Sequence, residues 1–545
     1  MLFNYKYSGS SGVTSTANKV GISFAPDTLR PPTFFVGQLH KHLPFREAMS
    51  ALHAIVVSDL RYQPKNRDAY LAWVKTQEDI WIAEKMKEEV EVSAKVAIIQ
   101  NELTALRTQK NEVMQPFYKA QRKLREYAWK KDRELSMVLD PVITVHPDEL
   151  FFECFSKDES SYGKLGCNYN VFKEINDFEC GTTNIDYSYA LYNEFQKIRT
   201  YKNTEFKIDP SGFEVQTTGE DTYKEVKIDL PESWVRGFLQ VSSAMTLSAV
   251  NFDLHPMDIH NFLFLLKSNK AKIGPRSIRF HLAPGKPVKV IFEPWNKTLV
   301  CKRSIYKGDK SEEIRIWGRR RLLTLERLIP LAKRFKVTLL GTGLPSFFVA
   351  DLGDLNFTLG LSGWTANDWS KMGNFDLLAP RRDVSTNAKK KVFKALKQVW
   401  LATPEDLAKK IKLKLSVVKG ALQLLVQAGK VVYDLNSNCY RLRELSNEEL
   451  PLKQLRFANE REEKARQLVN DGKAKISVNI LTDTGTKLEG GVQGSSAYEK
   501  VTLEINKDQG IAQATCSCRF FKENKLRQGP CEHILAVRMR SRQNN

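Results

Sequence analysis

The chain has no run of about 18 or more apolar residues, so no helix of it is long and apolar enough to cross a bilayer. Its first ten residues, Met1 to Ser10, lack the charged-then-apolar pattern of an export leader. A cytoplasmic location with no membrane partner is the expectation. Cysteine is scarce, eight in 545 residues, and without a sign of export no disulfide framework is expected. Catalytic patterns are missing as well. There is no GxSxG, no HExxH and no compact acidic metal cluster. Gly341-Thr342-Gly343-Leu344-Pro345-Ser346 lacks the GKS/T ending of a triphosphate loop and does not complete GxGxxG, so it reads as a tight turn. His255 and His260 are spaced for different helix faces. Cys154, Cys167 and Cys180 have no short-range second ligand and read as packed thiols, and Trp364 and Trp369 read as core anchors. These absences predict a protein without catalytic residues.

What is present is concentrated near the C-terminus. Cys516-Ser517-Cys518 and Cys531-Glu532-His533 are separated by twelve residues and supply three thiolates and one imidazole, the donor set that tetrahedral Zn²⁺ prefers. The first pair follows β-type runs, Val501 to Ile505 and Ile511 to Thr515. The second opens a short apolar helix, His533 to Arg540. A strand end and a helix start can therefore surround one ion. Four protein ligands close the shell, which predicts one structural rather than catalytic zinc that orders a loop from Arg519 to Pro530. The CxC…CxH arrangement resembles the SWIM-type zinc finger.

Formal charge is +21, and it is clustered. Thirteen Lys/Arg face three acids between Arg381 and Lys430, twelve face four between Lys302 and Lys336, and seven face two between Arg519 and Arg542. Concentrated positive charge suits a polyanion, because neutralised phosphates release counterions. The predicted fold class is α+β multidomain: an N-terminal segment (1–65), a helical hairpin or coiled coil (66–140), a mixed α+β sheet domain (141–380), a helical module (385–445), a helical linker (446–472) with Glu462 on its acidic face, and a small zinc domain (473–545). A basic amphipathic helix is expected over Arg320 to Phe335 within the mixed domain.

The helical module is the most regular stretch. Lys391 to Leu401 forms one helix, Thr403-Pro404-Glu405 starts a second, Ser416 caps a third that ends at Gly429, and Val431 to Tyr433 with Cys439 to Leu442 forms a hairpin. This order resembles the winged helix-turn-helix family. The resemblance implies that the third helix enters a major groove, showing Val417, Lys419, Gly420, Gln423 and Gln427, while the hairpin touches a neighbouring groove or backbone. Lys389, Lys390, Lys391, Lys409, Lys410, Lys412 and Lys414 suit phosphates. Together with Phe45 to His53, Gly341 to Asp351 and Leu361 to Trp369, the C-terminal finger also makes the chain resemble large bacterial SWIM zinc finger proteins. That likeness implies an adaptor beside MoxR-type AAA+ ATPases and von Willebrand factor A proteins. Two functions are carried forward: DNA or RNA binding, and docking of an acidic protein partner.

Overall fold

A computed structural model describes residues 12–15, 19–24, 33–59, 141–208 apart from 176–177, 185–191, 193–194, 197 and 202, 232–445 apart from 272–275, 365–366, 371–372 and 381–383, and 458–543 apart from 484 and 495–496. The expected helical hairpin at 66–140 and the strands expected at Phe213 to Thr217 and Lys224 to Leu230 lie outside these residues.

The mixed domain is built on an antiparallel sheet of eight strands. Its order is Val250–Leu254, Arg334–Leu339, Ser346–Asp351, Leu355–Leu361, Ser161–Asn168, Glu149–Phe155, Val142–Val145 and Gly181–Asn184. The central strands are buried at nearly every position, because both sheet faces are covered. Successive side chains point to opposite faces. Cys154 thus meets the helix His42–Val56 through the Leu52 carbonyl, while Phe155 packs on Trp234 and Phe238 of the helix Glu232–Met245. Gly163 is required under the first helix, since a Cβ there would lie 2.8 Å from Ile55.

A four-stranded sheet (Lys297–Ile305, Pro287–Phe292, Ile278–Leu282, Glu312–Ile316) buries alternate residues, among them Phe280 and Phe292, beneath Phe262 of the helix Pro256–Ser268. His255 is that helix's N-cap: its Nδ1 accepts from the Met257 amide at 3.1 Å. The expected N-terminal segment is not separate, since Lys19–Phe24 and Phe34–Leu39 both flank Asn203–Ile208 in one sheet.

The helix expected over Arg320 to Phe335 is absent. A 3-10 helix, Arg319–Leu328, ends before Pro330, and Arg334–Leu339 is a strand of the large sheet. Proline removes a helical hydrogen bond donor, and Arg334–Leu339 pairs on both sides, with Val250–Leu254 and Ser346–Asp351.

Between residues 384 and 445 the chain forms helices Thr386–Val399, Pro404–Ile411 and Leu415–Gln427 with a three-stranded sheet, Leu401–Ala402, Cys439–Leu442 and Val431–Asp434. Ser385 and Thr403 cap the first two helices by accepting from Ala388 N and Asp406 N. Ser416 is not a cap: the third helix begins at Leu415, after Lys414, with no side-chain cap. Val392, Leu396, Leu407, Val418, Leu422 and Val426 form the core.

Candidate metal centre and basic surface

The zinc region is a four-stranded antiparallel sheet, Ala474–Thr482, Gly485–Gln493, Tyr498–Asn506 and Ile511–Cys516, with the helix Glu532–Gln543 packed across it. Cys516 ends the last strand. Cys518 is the N-cap of a short helix, Arg519–Asn524, and its Sγ accepts from the Phe521 amide at 3.4 Å. The span expected as a loop from Arg519 to Pro530 is therefore helical in its first half. Cys531 follows Gly529, whose φ of +85° and 2.6 Å Cβ distance to the Asn374 carbonyl oxygen leave room for glycine alone. His533 lies in the first turn of the final helix.

The four ligand atoms lie within 4.8 Å of one another, with Cys516 Sγ and His533 Nδ1 3.9 Å apart. A zinc ion about 2.3 Å from each sulfur separates tetrahedral ligand atoms by roughly 3.8 Å, so the constellation fits it. Cys531 is fully buried, and Cys516, Cys518 and His533 nearly so. Crowding shifts the protonation of Cys518, Cys531 and His533. Hydrogen bonds from Cys516 and Cys531 hold the Cys518 thiol well below the usual thiol range, and those to Cys516 and Cys518 push Cys531 up. Burial alone lowers His533, but its hydrogen bonds with Cys516 and Cys518 outweigh that and raise it to about 10. Zn²⁺ replaces these shared protons and ties the strand end to the helix start.

Arginines, none of them anticipated, lock the finger in place. Arg461, on the helix Ala458–Asn470, donates to the carbonyls of Gln528 and Pro530 and lies 4.7 Å from the Phe520 ring. Arg538 donates to Leu377 O and Ala379 O in the mixed domain. Arg527 lies over Trp364 at 3.9 Å, and Trp364 in turn meets Trp317. Gly343 leaves room for Arg527 in the Gly341 to Gly343 turn, where a Cβ would lie 2.7 Å from its Cδ. Asn367 and Asn374 donate to Arg527 O and Gln528 O. Trp369 is core, as expected, whereas half-buried Trp364 serves this contact. Glu462, expected on an outer acidic face, is buried.

The lysines divide sharply. Lys390, Lys391, Lys409, Lys410, Lys412 and Lys414 are exposed and Lys389 half-exposed, and none of their side chains has an ion pair or hydrogen bond among the described residues. Lys419 and Gln423 are different. Lys419 pairs with Asp508 at 3.6 Å, and Gln423 is buried, hydrogen-bonded to Thr246. Gly420 and Gln427 are buried too, because the mixed domain covers this face of the third helix. The hairpin is equally occupied. Arg441 pairs with Asp148 and Asp434, both at 2.7 Å, Arg443 donates to Ser242, and Lys336 holds Leu435 O and Asn438. The Gly420, Gln423 and Gln427 face of the third helix is therefore not presented to a groove, while the hairpin tip, Asn436 to Asn438, stays exposed. A cleft of about 380 Å³, lined by Leu247, Leu344, Leu378, Gln423, Tyr433 and Ile511, marks where the three regions meet.

The SWIM zinc finger family model matches residues 499–537. No curated protein matches the chain. Among solved structures, the chain is similar to one described as the C-terminal region of FEN-1 bound to A. fulgidus PCNA, at 12% identity over 41% of this chain and 89% of that one, with a TM-score of 0.28. It is also similar to the proliferating cellular nuclear antigen of Entamoeba histolytica, at 10% identity over 42% and 89%, with a TM-score of 0.27. Scores this low carry no argument about fold or activity. The family match, the strand-end and helix-start placement and the four converging donors agree: residues 499–537 are a SWIM zinc finger with a structural Zn²⁺ site.

Proposed function

We propose that this chain is a non-enzymatic nucleic-acid-binding protein, with DNA the expected ligand, serving as an adaptor in a larger assembly. The observation that carries the reading is the lysine group between Lys389 and Lys414, where eight of nine have no counter-ion among the described residues and Lys397 pairs with Glu444. Their element order, three helices and a hairpin, supports a winged-helix reading of 385–445. With the Gln423 face of the third helix engaged inside the protein, contact runs through phosphates and carries little sequence information. The zinc finger acts as a brace. Chemistry on the nucleic acid belongs to a partner, since a closed Cys₃His shell offers no open position.

The same lysines fit an acidic protein, such as an AAA+ ATPase or a von Willebrand factor A protein, and the test separates the two. Zinc-loaded full-length protein is titrated with random-sequence DNA and RNA, single- and double-stranded, across salt. Log affinity should fall with log salt by about 0.9 per phosphate contacted on duplex DNA. No measurable binding to any of the four at low salt rejects the nucleic-acid reading and leaves the acidic partner.

A further inference from the structure

Strand Ala474–Thr482 is an outer strand of the zinc-finger sheet. It pairs with Gly485–Gln493 on one side and, among the described residues, with nothing on the other. Edge strands are ordinarily protected by charge, proline or twist. Here Ile476 to Thr482 contains no charge, proline or glycine, and Ile476, Val478, Ile480 and Thr482 favour the β conformation. Exposure climbs to 52% at Ile480 and 87% at Leu481, an apolar tip open to water. The strand's one protection is a bulge between Ile476 and Val478, which leaves Val478 to Leu481 as the regular outer stretch. Lys475 precedes it and Asp483 follows, both exposed and neither ion-paired among the described residues.

We propose that this edge pairs with the same edge of a second copy of the chain, antiparallel about Ile480. Val478 of each copy then faces Thr482 of the other, Asn479 faces Leu481, and the two Ile480 meet on the two-fold axis. The free backbone groups of the edge find partners, as in strand addition. The charges select this arrangement. One strand ends in a cation and the other end carries an anion, so antiparallel self-pairing brings Asp483 of each copy to the bulged end of the other, within reach of its long Lys475 side chain. A parallel arrangement sets like charge beside like. The interface is isologous and closes at two copies. Five residues a side bury well under the roughly 1,200 Å² of a standard interface, so the dimer is weak and concentration-dependent. Two copies would present two lysine surfaces to one polyanion, which raises avidity without a new contact. Dimerisation itself does not rest on the nucleic-acid reading.

Sedimentation velocity of the zinc-loaded full chain over a wide concentration range, without nucleic acid, tests this. A reversible monomer–dimer equilibrium is expected. Leu481→Lys, at a position too exposed to disturb the fold, should abolish it. Lys475→Asp should weaken it about tenfold, the equivalent of roughly 1.4 kcal/mol shared by two symmetric pairs. Lys475→Asp with Asp483→Lys should restore it. A monomer at every concentration overturns the proposal, as does a dimer indifferent to both single substitutions. A dimer that binds no nucleic acid leaves this interface standing and removes the proposed function alone.

Discussion

The arginines around the zinc finger and the lysines of the helical module both counted toward the same positive charge, yet they do opposite things. Arg319, Arg321, Arg461, Arg527 and Arg538 turn inward to carbonyls, Asp158 or tryptophan faces. A planar guanidinium with five fixed donors satisfies several buried acceptors at once and remains charged. Lysine is a strongly hydrated point charge on a flexible stem, and eight of the nine between Lys389 and Lys414 are exposed, with Lys389 half-exposed. Charge clustering in a sequence therefore marks two different devices, and residue type alone does not separate them: Arg327, Arg334 and Arg519 are at least half exposed, while Lys164 is buried against Glu149 and Asp434. Lys336 likewise holds Leu435 O and Asn438 from within the fold, and exposed Lys302, Arg303, Lys307 and Lys310 form a second outward group.

The sharpest way to break the inward half is to remove its anchor. Cys518→Ser, or chelation, should release the zinc and unfold the finger, because metal binding free energy, roughly 10–16 kcal/mol in isolated fingers, is folding free energy. Metal analysis and calorimetry check this: zinc should fall below one per chain and a domain transition should disappear. Next in size, Arg461→Ala or Arg538→Ala leaves buried carbonyls without donors and should cost roughly 2–4 kcal/mol of stability with zinc still bound. Lys390→Ala should lie within about 0.5 kcal/mol of wild type, as surface changes do. Equal costs would erase the distinction.

The zinc ligands were legible because all four fall within eighteen residues, and local spacing was enough. Helix caps at Thr403 and turn glycines at Gly341 and Gly343 were legible for the same reason. The recognition face was misread because helical periodicity places Gln423 on the outside, and only Thr246 and its neighbours, far away in sequence, bury it. Arg461 carries no signal in the sequence, since nothing local identifies the carbonyls of Gln528 and Pro530 as its partners.

A subtler effect concerns acid. Burial opposes ionisation of Asp148, but hydrogen bonds from His146 and Arg441 hold its carboxyl well below the usual range. A depressed folded pKa contributes stability above the unfolded value of about 3.9 that is lost as pH falls through the folded one. Asp148→Asn should therefore flatten the fall in stability below about pH 4, measured by denaturant midpoint against pH, while leaving its shape near neutrality unchanged. An identical acid limb in the variant would remove Asp148 from the account.

The central claim is that outward lysines, not inward arginines, carry the polyanion contact. Replacing Lys409, Lys410 and Lys412 by alanine and measuring duplex DNA affinity against salt tests it most directly. The account predicts one zinc per chain, an unchanged melting transition, and a log–log salt slope smaller by up to about 2.7, similar for every DNA sequence. An undiminished slope with full affinity would contradict it.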